Sequence, residues 1–233
     1  GLDLFLRAHL RIARLNEGMR GGAAKAQEWF RKTVAAYEAL TDEDKAKVTA
    51  AGLAAAAEAR FMEGEAALAE VRAVQLKLPE KVLVEGITKK VELIAKAMDL
   101  LTSVEGFAQP NWTIAATSRK GQALQELATS IENSPVPGGL NSEQKMFYRQ
   151  GMADRAAPLI ERAKEAYRRC VEVARELKWY NEYSAKAEEA LMRLDPDYRV
   201  LPDIRPAPGA YTLNQGRATL LAEARGMCSP ETR

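Results

Sequence analysis

Ala50-Ala51-Gly52-Leu53-Ala54-Ala55-Ala56-Ala57-Glu58-Ala59 is the stretch on which the fold turns. Alanine is the best helix former because it loses no side-chain entropy, and its single methyl lets backbones approach closely. The run lies inside 42–78, a segment without proline. It reads as the middle of one unusually long helix in close contact with a flanking helix on each side. Thr41 supplies an N-cap, and Asp42, Glu43 and Asp44 complement the positive end of the helix dipole.

Helical spacing continues on both sides. Upstream, residues 2–18 carry Leu2, Phe5, Leu6, His9, Leu10 and Ala13, and Gly18, Gly21 and Gly22 break them from a second helix over 23–40. That helix repeats Ala26, Phe30, Val34, Tyr37 and Leu40. Downstream, Pro79 ends the long helix and starts a fourth over 80–105, with Val82, Ile87, Val91, Ile94, Met98 and Leu101 as its stripe. Gly106 and Pro110 mark a turn into a fifth helix over 110–133, and Pro135–Gly139 is the clearest loop. Asn141 or Ser142 caps a sixth helix reaching 178, with Pro158 as the place for a kink. A seventh covers 180–193 and stops at Asp195-Pro196.

No segment alternates with the period of a strand, so the expected class is all-α, with antiparallel neighbours joined by short turns. Beyond 198 the composition changes. Pro202, Pro206, Pro208 and Gly209 predict an extended tail over 199–233, pinned by Tyr198 and Tyr211 and lying over the helical body or leading to a further module. Periodicity returns only at 213–224, enough for one short helix. The expected organisation is therefore a helical domain at 1–198 and this tail.

Among 233 residues, 47% are hydrophobic and 28% charged, the balance of a folded chain and far from a disordered one. The formal charge of +2 argues against a nucleic-acid partner, which needs a strong basic excess on one face. Runs such as Glu161–Arg162–Lys164–Glu165 read as solvated helix faces with i,i+4 pairs. No apolar run is long enough for membrane insertion. Gly1 stands directly before a helical pattern, without an initiator methionine or leader, which suggests a processed or excised chain.

Residues equipped for chemistry are few. His9 is the one histidine, which removes a histidine-rich metal site, and its place on the apolar stripe makes it structural. Cys170 shares a face with Tyr167, Val171 and Ala174 and reads as a buried thiol; Cys228 lies in the tail, and a disulfide between the two stays open for an oxidising compartment. The Asp42-Glu43-Asp44 cluster lacks the alternating ligands and glycine of a calcium loop. Ser142 and Ser184 have no activating motif, and Gly138-Gly139 makes a turn, not a phosphate loop. Trp112, Trp179 and Tyr180 stand at helix starts, where aromatic rings more often pack into neighbouring pairs than form ligand-stacking surfaces, and packing is expected. No catalytic residue, cofactor or metal is expected.

Several stretches fit a helical repeat. Ala26–Phe30–Thr33 and Ala163–Tyr167–Cys170 match the second helix of a tetratricopeptide unit, Trp112, Ala115 and Ala116 match the start of a first helix, and 190–196 resembles its alanine-to-proline close. The third and sixth helices exceed the repeat length, and Arg119 stands where the pattern has tyrosine. The expectation is an irregular tetratricopeptide-like solenoid with long helices. Over 110–198, Trp112-Thr113-Ile114-Ala115-Ala116, Arg119-Lys120-Gly121, Pro135-Val136-Pro137, Tyr148-Arg149-Gln150, Pro158-Leu159, the 163–170 run and Tyr180-Asn181-Glu182 are similar to large tetratricopeptide proteins of the myxobacterial cell envelope, gliding-motility components among them. The resemblance implies a periplasmic or outer-membrane-associated assembly role, with the cytoplasm left open, and transfers no binding residue.

The leading expectation is a non-enzymatic scaffold for a protein or peptide partner. If Trp112 opens a first helix, Thr113, Thr117 and Lys120 line its concave side, with Lys120 available to a carboxylate. The alternatives are a regulatory or accessory domain of a larger enzyme, or a helical enzyme, which buried carboxylates of raised pKa would mark. RNA binding by helical repeats is disfavoured by the charge. The sequence leaves the oligomeric state open.

Overall fold

The computed structural model describes residues 1–199, and every regular element among them is helical. The order is α1 (Leu2–Glu17), α2 (Ala23–Glu38), α3 (Asp42–Lys45), α4 (Ala50–Ala73), α5 (Glu80–Ser103), a 3-10 turn at Val104–Phe107, α6 (Pro110–Glu132), α7 (Ser142–Glu176) and α8 (Glu182–Leu194). The tail expected after 199, with Tyr211, Cys228 and the helix at 213–224, lies outside the described residues.

The single helix expected over 42–78 is not formed. Thr41 does cap, its Oγ1 accepting the Asp44 N–H at 3.2 Å, but for the short α3. The chain then leaves the helical conformation at Thr49 (φ −76°, ψ 170°), whose N–H donates to Asp3 Oδ1 of α1 at 3.0 Å. A carboxylate from another helix thus takes the place of an intrahelical carbonyl, and Val48 is drawn into the core beside Leu6 and Ala55. At the far end α4 stops at Ala73, well before Pro79. The residue before a proline avoids helical dihedrals, and Leu76 packs against the cluster holding Val71 and Leu83.

The later boundaries follow local chemistry. Asn141 and Gln144 form a reciprocal capping box for α7 (2.8 and 2.9 Å). The helix continues through Pro158 to Glu176. It closes with the Trp179 N–H on the Ala174 carbonyl at 2.9 Å and the Lys178 N–H on that of Arg175 at 3.0 Å. Lys178 takes φ +50°, the left-handed position that usually holds glycine. Asn181 caps α8.

The alanine run does what its size allows. Ala56, Ala57 and Ala59 are fully buried, and α4 touches α1, α2, α5, α6 and the 3-10 turn. Packing is otherwise serial: α1 on α2, α2 on α4, α4 on α5, α5 on α6, α6 on α7 and α7 on α8, with α1–α4, α4–α6 and α6–α8 contacts bridging alternate helices. Phe61, Leu68, Leu101 and Val104 centre one core cluster; Ile94, Leu127, Ile131 and Met152 centre the next. Each such side chain contributes about 1.5–3 kcal/mol on full burial.

Candidate interaction groove

The structure sets the three residues singled out on α6 in two places. Thr113 and Thr117 line a cavity of about 320 Å³ between the start of α6 and the end of α7, together with Glu105, Arg169 and Glu176. The Thr117 hydroxyl donates to the Thr113 carbonyl at 2.8 Å. Lys120 does not line that cavity. Its ammonium lies 2.6 Å from Glu105 Oε1, so its carboxylate partner comes from the protein itself.

A larger groove, about 610 Å³, is built by five helices. The last turn of α4 supplies Val71 and Arg72, α5 supplies Lys90, α6 supplies Gln122, Gln125 and Glu126, α7 supplies Tyr167, and α8 supplies Lys186 and Arg193. Glu126 is the hub of its wall. It accepts Arg72 Nε at 2.8 Å and Nη2 at 3.2 Å, and Gln122 Nε2 at 2.8 Å. The fork holds the Arg72 guanidinium firmly charged. Next to it the Tyr167 hydroxyl donates to Gln125 Oε1 at 2.8 Å. Burial, then the Glu126 charge, pushes the Tyr167 phenol up to about 12. On α8, Lys186 pairs with Glu182 at 2.7 Å and Arg193 with Glu189 at 3.4 Å.

Lys90 differs from these cations. It is only 6% exposed, and its Nζ donates to the Val71 carbonyl at 2.9 Å, near the end of α4. Burial lowers its pKa, opposed by the Glu126 charge. Sequence reasoning missed it, although a signal was present. The buried face of α5 runs Leu83, Lys90, Ile94, Ala97 and Leu101, so a lysine holds a core position. Of the expected stripe, Ile94 and Leu101 are buried and Ile87 and Met98 pack against the core, whereas Val82 and Val91 are exposed.

The groups that could act as bases or nucleophiles are held otherwise. His9 sits between the rings of Phe5 (4.1 Å) and Trp29 (5.1 Å) on α1, its pKa lowered by burial and by Lys32. Cys170 is fully buried, its Sγ donating to the Ile114 carbonyl at 3.4 Å, and burial pushes the thiol up to about 12. Trp112 packs on Phe61 at 5.3 Å as expected, whereas Trp179 and Tyr180 stand 49% and 40% exposed, not packed between helix pairs. No helix among the described residues is long and apolar enough to cross a membrane. The arrangement is suited to holding a ligand by hydrogen bonds and charge. Compared with known proteins, the chain matches no family model, no curated protein and no solved structure.

Proposed function

We propose that this chain is a non-enzymatic protein-interaction scaffold, a tetratricopeptide-like stack of helix pairs that binds a protein or peptide partner in the 610 Å³ groove. The observation that carries this is the groove itself: five helices contribute to one concave surface whose side chains are already oriented by their mutual bonds. Prior orientation lowers the entropy lost on binding. The row of contacts α1–α4–α6–α8, with α2, α5 and α7 interleaved in sequence, supports the repeat-like stack. Thr113 and Thr117, in the separate 320 Å³ cavity, offer a second contact region, with Lys120 outside it and paired to Glu105.

The cell-envelope setting, periplasmic or at the outer membrane and extending to gliding motility, rests on the resemblance over 110–198. The competing accessory-enzyme reading draws on Glu63, whose carboxyl burial holds above its usual range despite Arg60 at 2.7 Å. Glu63 lines neither cavity described above. The test is a photo-crosslinker at Gln122, in the groove, and another at Glu143, on the exposed start of α7, in native cells. An envelope protein joined through position 122 and not 143 is expected. Equal labelling from both positions, or none from 122, overturns the proposal.

A further inference from the structure

We propose that the groove takes an acidic peptide segment and that Lys90, at its floor, receives one of the segment's carboxylates; this rests on the scaffold reading above. An ammonium has three N–H donors. Lys90 uses one on the Val71 carbonyl, an oxygen that also accepts the Val74 N–H. Glu126 is the one acid among the residues lining the groove, against Arg72, Lys90, Lys186 and Arg193. Its oxygens are taken by Arg72 and Gln122. Arg72, Lys186 and Arg193 each have a carboxylate partner within the protein. Among the described residues Lys90 makes no ion pair: Glu126 acts on it only at a distance, its oxygens held by Arg72 and Gln122. A buried charge lacking its counter-charge is expensive, and an anion in the groove supplies what is missing.

The stoichiometry of charge selects the anion. One unpaired ammonium with two remaining donors matches one carboxylate. A dianionic phosphate would bring a second charge close to Glu126 with no second unpaired cation to meet it. The amides of Gln122 and Gln125 suit the polar main chain of an extended segment.

The experiment measures fluorescence anisotropy of short labelled peptides with the whole chain: polyglutamate, polyglutamine and a phosphoserine peptide. The proteins are wild type, Lys90→Met, Lys186→Gln and, on exposed α7, Lys145→Gln. Polyglutamate should bind at least about tenfold more tightly than polyglutamine, and Lys90→Met should lose about tenfold or more of that affinity. Lys186→Gln should lose a few-fold, and Lys145→Gln nothing. Equal binding of polyglutamate to wild type and Lys90→Met overturns the inference, as does a preference for the phosphopeptide. A random peptide array separates the two readings. Groove-dependent binding of non-acidic peptides removes only the acidic ligand; binding of no peptide removes the scaffold as well.

Discussion

A methyl group built on Gly121 would stand 2.7 Å from Cδ1 and Cε1 of the Tyr167 ring. Hydrogen at this one position lets α6 and α7 meet, and the ring cannot withdraw freely because its hydroxyl is bonded to Gln125. Gly121→Ala gains about 1 kcal/mol of helix propensity but loses more to the clash, for a net loss of about 1–2 kcal/mol. Gly151, in α7, has open space where its Cβ would be. Gly151→Ala should therefore stabilise by about 1 kcal/mol. Urea unfolding of both variants checks the pair, and the same sign for the two would refute it.

The alanine run offers a second test. Ala56 is fully buried and packs with Ala57 and Phe107, whereas Ala54 is partly open. Ala56→Leu should cost about 1–3 kcal/mol by overpacking, and Ala54→Leu well under that. Equal melting temperatures for the two would remove the close contact.

Much of this architecture is legible in the sequence because its signals are local. Asn141 with Gln144, Thr41 before three acids and Pro79 before a helical stripe each act within a turn of the chain. The break at 46–49 is not legible, since it depends on Asp3 from α1 reaching the Thr49 N–H. The groove is hidden for the same reason: residues from Val71 to Arg193 meet only after five helices have packed. Spacing on one helix singles out Thr113, Thr117 and Lys120 together, but it carries no information on Glu105, which pairs with Lys120.

Lys90 also makes a stability prediction with a definite sign. Its pKa is lowered in the fold. The cost of burying the charged form is fully present below that lowered value and fades as pH rises from it to the ordinary value of 10.5. Lys90→Met should raise stability by about 1 kcal/mol at neutral pH, with the advantage shrinking in alkaline buffer. Thermal melts of both proteins at neutral and alkaline pH decide it, and a destabilised variant at neutral pH would contradict the argument.

Cys170 should behave as an inert thiol. Its burial and a pKa pushed up to about 12 leave almost no thiolate at neutral pH. In a Cys228→Ser background, a thiol reagent should modify Cys170 only once denaturant is added. Prompt labelling of the native protein would show that the site opens.

The contact pattern places α6 where the two ends of the helical stack join. It touches α4, α5, the 3-10 turn, α7 and α8, and it is the main bridge between the first five helices and the last two. It works as the spine of a book whose covers, α4 with α5 on one side and α8 on the other, meet chiefly through it. The groove runs along that spine, so anything seated there touches α4 and α5 on one side and α8 on the other at once.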